Sequence, residues 1–310
     1  MDCERINVFI GKPNAGKSNI LEAISLLGAG YSKSKFMEGF IRYKSIVQLF
    51  SDFNFETPIT IRANDYIAQL KDASKRGGVF DFSLEKSNPY KRFNSEFTPP
   101  SLSPMRLSSD GTLESVSYSV SPVKKYEFTH IGEYHEGGLF LQPPNGENFY
   151  IVARSNLYLR EEIQRFLQPN GLELLIDAES QRIVVVKKEN GSLTSFPLHL
   201  VPDTFQRYIF HLAAILSNSD SVLLFEEPET HSYAPFVYQL AQHIINDDCN
   251  NQYFLTTHSP YLLTPIMQEA KDVAIFVTWF ENYQTHARRL TEDEIREMLD
   301  YGVDIFLNLE

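Results

Sequence analysis

Cysteine is scarce in this chain, with only Cys3 and Cys249 among 310 residues. The two lie far apart and lack the close spacing of metal ligands. This argues against a disulfide scaffold or a zinc site, and the expected setting is a reducing cytoplasm. Long apolar runs are also missing. No stretch of about 18 apolar residues occurs, so no membrane-spanning helix is expected. The first residues show no basic-then-apolar secretion pattern. Positive charge is the third shortage. Lys and Arg number 28 against 40 Asp and Glu, a net charge of −12. A field of that sign does not draw a protein to nucleic acid, so charge does not indicate such a partner. The small basic groups, Lys71 with Lys75 and Arg76, Lys124 with Lys125, and Arg288 with Arg289, read as solvated faces. His199, His211, His231 and His243 show no spacing such as H-E-x-x-H and are assigned no metal.

Apolar content of 43% is enough for a full core, and the length suits one large α/β domain or two smaller ones. Residues 6–10 read as a buried strand, a Gly/Pro/Asn loop follows, and residues 18–27 read as a helix. The pattern then changes to short alternating segments at 45–50, 59–62, 79–84 and 116–120. Residues 88–115, rich in Ser, Pro and Asn, read as a long loop. A helix is expected at 157–167 and a hairpin from 172–176 and 182–187. A strongly apolar helix is expected at 205–216. Apolar strands at 222–225, 252–257 and 273–280, the first two separated by a helix near 235–246, predict a parallel sheet with crossover helices. Thr291 and Glu294 make a capping box for a helix at 292–300. The expected organisation is a discontinuous core, residues 1–35 and 195–310, carrying a β-rich insertion or lid with one helix at 36–194.

The sharpest chemical signal is Gly11-Lys12-Pro13-Asn14-Ala15-Gly16-Lys17-Ser18, which fits G-x-x-x-x-G-K-[ST] between a strand and a helix. Gly11 and Gly16 let backbone amides turn inward, and the helix start adds its own amides and dipole. Pro13, Asn14, Ala15, Gly16, Lys17, Ser18 and Asn19 would then surround the phosphates of ATP. Lys17 supplies a point charge to the β/γ oxygens and Ser18 a hydroxyl ligand to Mg²⁺.

Four apolar residues, Val222 to Phe225, run into Glu226 and Glu227. A strand ending beside a phosphate loop can hold Mg²⁺ through its first acid, Glu226, and activate water through its second, Glu227. Pro228 then ends the strand. The next core strand ends in Thr256-Thr257-His258-Ser259-Pro260. A histidine there can hydrogen-bond the γ-phosphate and report its loss. The catalytic set expected from sequence is therefore Lys17, Glu227 and His258. The guanine-reading Asn-Lys-x-Asp pattern is not found after a strand, which ranks a GTPase low.

Taken together, the phosphate loop, the Glu-Glu-Pro-Glu strand end and the Thr-His-Ser-Pro segment resemble the ABC-type ATPase heads of the RecF, SMC and OLD (overcoming lysogenisation defect) group. They resemble more closely the stand-alone AAA-family ATPases related to the OLD ATPase domain, often found in bacterial defence modules. Residues 141–148 and Val303-Asp304-Ile305-Phe306 are similar to segments of such proteins. The resemblance implies a P-loop NTPase fold with a mainly parallel core sheet flanked by helices. It implies Mg²⁺-dependent ATP hydrolysis and a head-to-tail homodimer or higher oligomer with ATP at the interface. A signature segment would reach the partner's γ-phosphate. The matching segment contains Asp203, Thr204 and Arg207, but Pro202 stands where the family has Ser, with neither hydroxyl nor N–H. Gln48 and Gln142 are both candidates for the glutamine that bridges metal and lid. The family's aromatic strand pair for adenine is expected before the phosphate loop, where only five residues precede Ile6. No nuclease domain is expected after His258, so an effector would be a separate protein. The alternative function is an ATP-binding scaffold with little turnover that assembles with a partner.

Overall fold

The computed structural model describes residues 1–64, 66–86, 102–114, 120–130 and 134–300. The chain opens with strand β1 (Ile6–Gly11) and helix α1 (Lys17–Ser25), followed by a 3₁₀ segment to Tyr31. Next come β2 (Ile59–Ala63), β3 (Tyr66–Asp72), β4 (Val79–Lys86), β5 (Leu102–Ser108) and β6 (Val123–Tyr126). Helices α2 (Phe149–Ser155) and α3 (Leu157–Leu167) lead to β7 (Leu172–Asp177), β8 (Arg182–Glu189) and β9 (Ser192–Pro197). The last third holds α4 (Asp203–Leu216), β10 (Val222–Glu226), α5 (Ala234–Ile245), β11 (Gln252–Thr256), α6 (Pro260–Glu269), β12 (Val273–Glu281), β13 (Gln284–Arg289) and α7 (Glu292–Asp300).

Two compact units result, one of residues 1–18 and 126–310, the other of residues 19–125. The second unit is a four-stranded antiparallel sheet, β2-β3-β4-β5. Its buried face follows the two-residue period of a strand: Ala68 and Leu70, Phe80 and Phe82, Met105 and Leu107. Phe36 packs on Phe82 and Phe50 on Phe80, at centroid distances of 4.9 and 5.7 Å.

In the first unit β13-β12-β1-β11-β10 run side by side. All these neighbours from β12 to β10 are parallel, and β13 returns antiparallel on β12. β1 is buried along its whole length, as a central parallel strand must be. One face packs Ile6, Val8 and Ile10 with Leu223, Phe225, Tyr253, Leu255 and Ile275. On the other, Phe9 lies between Phe254 and Phe276, at centroid distances of 6.4 and 5.1 Å. This aromatic ladder fixes the register of β1 against both neighbours.

The unit boundaries differ from the expected insertion of 36–194. Helices α2 and α3 and the small sheet β7-β8-β9 belong with the first unit. Phe149, Leu159, Ile163, Phe166, Ile183 and Val185 are buried in the same cluster as β1 and β10. The segment 45–50, expected as a strand, is a 3₁₀ turn at Ile46–Leu49, stabilised where Gln48 Oε1 accepts the Ser45 amide at 3.2 Å. Within the expected loop 88–115 lies β5, which carries Pro104. Proline is tolerated there because β5 is an edge strand, and its pairing with β4 shifts register between Phe82 and Leu84. Of the segment expected at 116–120, residues 116–119 lie outside the described residues, as do 303–306. The capping box forms as expected, with Glu294 Oε2 accepting the Thr291 amide at 2.8 Å. Among the described residues no helix is long and apolar enough to cross a membrane.

Candidate functional site

Parallel strands point their carboxyl ends in one direction, and in open α/β sheets that edge is where ligands bind. Here β1 delivers the Gly11–Ser18 loop, β10 delivers Glu226 and Glu227, and its neighbour β11 delivers Thr257 and His258. Asn14 and Gly16 have φ of 62° and 87°. Such left-handed residues turn successive amides toward one centre, the geometry of an anion nest. The tightness has a second cause. A Cβ on Gly16 would stand 2.0 Å from Thr285 Oγ1, so β13 is packed directly on the loop. Lys17 is buried and its ammonium donates to the carbonyls of Gly11 and Lys12 at 3.0 and 3.1 Å. Burial lowers its pKa, with Glu227 pulling the other way. Pro13, Asn14 and Asn19 are exposed, whereas Ser18 is half-buried.

Glu227 begins the turn after β10 with φ of 43°, its amide donating to Thr256 Oγ1 at 3.1 Å. A carboxylate oxygen, Oε1, lies 3.4 Å from His258 Nε2. The His258 pKa is lowered by burial and by Lys17, and Glu227 raises it in part. At neutral pH the ring is therefore mostly the neutral imidazole, able to donate one hydrogen bond and accept another. Lys17, Glu227 and His258 thus sense one another electrostatically.

A fourth residue joins them that sequence reasoning did not assign a role. Glu229 Oε1 accepts hydrogen bonds from Thr257 Oγ1 at 2.7 Å and from the His258 amide at 2.8 Å. Among the described residues its other oxygen, Oε2, is buried without a hydrogen-bond partner, and burial raises the carboxyl pKa. Glu229 ties the loop after β10 to the loop after β11. Its only sequence signal was its place in the Glu-Glu-Pro-Glu run.

The residues aligned with a signature segment gather elsewhere. Pro202 precedes α4 and makes no side-chain cap, as its chemistry requires. Arg207 Nε donates to Asp203 Oδ2 at 2.7 Å, and its guanidinium lies 4.7 Å from the centre of the Phe128 ring. Asp203 Oδ1 is 3.4 Å from His130 Nε2, close enough for an ion pair. Thr204 is half-buried at the same helix start. Gln48, in the second unit, accepts the Lys44 and Ser45 amides. The Gln142 backbone is held by Asn148 Oδ1 at 2.7 Å. Arg288 and Arg289 are each paired, with Glu294 and Glu4 at 2.9 Å.

The family described as "AAA domain, putative AbiEii toxin, Type IV TA system" matches residues 6–264, which run from the start of β1 into α6. The chain belongs to this AAA family. Its fold is that of a P-loop NTPase, with a mainly parallel core sheet. No curated protein matches the chain significantly. Among solved structures it is similar to an Smc head bound to the C-winged helix domain of ScpA. That likeness has 13% identity and a TM-score of 0.49, covering 94% of this chain and 91% of the other. The SMC head domain from Thermotoga maritima is similar at 10% identity and a TM-score of 0.41, covering 93% and 90%. A Pyrococcus furiosus Smc head with an extended coiled coil, bound to the C-terminal domain of ScpA, is similar at 10% identity and 0.48, covering 95% and 92%.

Proposed function

We propose that the chain binds ATP with Mg²⁺ at the Gly11–Ser18 loop and hydrolyses it, acting as a nucleotide-driven switch for a separate effector protein. The observation that supports hydrolysis best is the 3.4 Å approach of His258 Nε2 to Glu227 Oε1 beside the phosphate loop. The amides of the loop and the Lys17 ammonium bind the phosphates. Glu227 takes a proton from the attacking water, and the His258 imidazole hydrogen-bonds the terminal phosphate. The Ser18 hydroxyl and the Glu226 carboxylate offer the oxygen donors that a hard cation takes. When bound, Mg²⁺ would offset charge on the β and γ oxygens. Glu229 positions His258 rather than touching substrate, because it bonds the His258 amide.

The switch would act in bacterial defence or DNA maintenance, and a family description that names a toxin system supports the first, with a partner protein. The switch would work as a homodimer or higher oligomer in the cytoplasm, α4 of one copy facing the nucleotide of another. A second reading, an ATP-binding scaffold with little turnover, is favoured by one feature. Pro202 leaves the start of α4 without a capping hydroxyl, and Arg207 is engaged by Asp203 and Phe128. Phosphate release by the full chain and by Glu227→Gln separates the two. The first reading expects turnover that falls on the order of 100-fold or more in the variant, with ATP still bound. Wild-type turnover no higher than that of the variant would leave the scaffold.

A further inference from the structure

A triphosphate on the Gly11–Ser18 loop has two ends, and the proposed site places the terminal phosphate beside Glu227 and His258, on the β10 and β11 side of β1. The base must then leave on the other side, where β12 and β13 lie. Those strands grip the loop through two threonines. Thr278 is buried, and its hydroxyl donates to the Ile10 carbonyl at 3.0 Å. It would also stand 2.5 Å from a Cβ on Gly11. Thr285 lies against Gly16, as described above.

Phe280 is two residues beyond Thr278, which in a strand sets both side chains on one face. The antiparallel register also pairs Phe280 directly with Thr285, again on that face. The row Phe276, Thr278, Phe280 therefore runs outward from the core along the phosphate loop. Phe276 is buried against Phe9 and Thr278 is buried at Ile10, but Phe280 is 55% exposed. Among the described residues its ring stacks on no other aromatic. Trp279, on the opposite face, is already stacked on His286 at 5.4 Å and 20°. An exposed, free aromatic face at the end of this row is a surface for a flat ring, and nucleobases stack on such faces.

We propose that Phe280 is the stacking surface for the nucleotide base, so that the β12–β13 hairpin selects a nucleoside triphosphate over bare polyphosphate. The proposal rests on the loop being a nucleotide site. Stacking reads the face of a base and not its edges, so Phe280 favours purines over the smaller pyrimidines without separating adenine from guanine.

The test is calorimetric binding of Mg-ATP and of inorganic tripolyphosphate to the full chain as wild type, Phe280→Ala and Phe280→Tyr. The expected result is an ATP affinity about tenfold weaker in Phe280→Ala and restored in Phe280→Tyr, with tripolyphosphate binding equal in all three. Unchanged ATP affinity in Phe280→Ala overturns the proposal. So does an equal loss for both ligands, which would show that the ring only supports the loop. If the wild type binds neither ligand, the nucleotide site itself fails, an outcome distinct from the other two.

Discussion

Glu229 and Thr257 are joined by a hydrogen bond of 2.7 Å that links the ends of two neighbouring core strands. The same carboxylate oxygen holds the His258 amide, and Thr257 Oγ1 in turn accepts the Ser259 amide at 2.9 Å. Ser259 caps α6. A short relay thus runs from the acidic turn to a helix start.

Cutting the relay should disturb turnover more than binding. Glu229→Ala removes the acceptor of two hydrogen bonds, a loss on the order of 1–3 kcal/mol in the ordering of His258. Phosphate release should fall about tenfold or more while ATP affinity stays within a few-fold. Glu229→Gln keeps an acceptor oxygen and should retain most activity. Rate and affinity that fall together in Glu229→Ala would mean the residue supports the fold only.

Gly16→Ala should damage the loop in two separable ways. A residue at φ of 87° costs about 1–3 kcal/mol in backbone strain. The added methyl also meets Thr285, 2.0 Å away at Oγ1 and 2.8 Å at Cβ. Thermal denaturation should show a Tm lower by several degrees. Adding Thr285→Gly removes the clash and should recover part of that loss, leaving the strain. Full recovery in the double variant would show that the backbone carries no strain.

The pKa of His258 is held down, so its neutral form persists into acid. Hydrolysis that depends on neutral His258 should stay flat as pH falls to about 6.5, the usual histidine value, and decline only below it. The ring's NMR titration midpoint should lie below that value too. In Glu227→Gln the midpoint should move lower still, because Glu227 is the group that raises it. A midpoint above the usual value would contradict the arrangement.

His211 makes a different pH prediction, for stability. It sits in α4 against Phe210 and Phe225 and shares a 2.9 Å hydrogen bond with the Arg207 carbonyl. Burial pushes its pKa down to about 4. The unfolded chain takes up a proton near pH 6.5 and the folded chain does not, so falling pH favours unfolding. The stability is whole above pH 6.5 and is lost progressively down to about pH 4, by about 3 kcal/mol in all. Urea midpoints measured across that window should drop in the wild type and drop less in His211→Phe.

The phosphate loop was legible because its residues are contiguous and each type answers one steric or charge demand. Glu227 and His258 were legible because the ends of buried parallel strands must meet at one edge. Glu229 was not, since its role depends on which loop lies across from it. β13 was missed because Gln284–Arg289 is a polar, half-exposed edge strand with little apolar signal. Its absence from the reading also hid the partner of Gly16. The tail after His258, expected as one strand and one helix, carries α6, β12, β13 and α7, since Pro260 and Pro265 mask a helix that Pro260 begins. β5 was hidden by Pro104, and the segment 45–50 was misread because its apolar residues serve a 3₁₀ turn.

Trp279 is the only tryptophan in the chain. It lies next to Phe280 in β12 yet on the face turned away from the phosphate loop, fixed against His286. The protein therefore carries a built-in optical probe at the hairpin. Ultraviolet emission from one indole would follow the ordering of these two strands as ligand arrives, with no dye attached and no ring of the contact itself replaced.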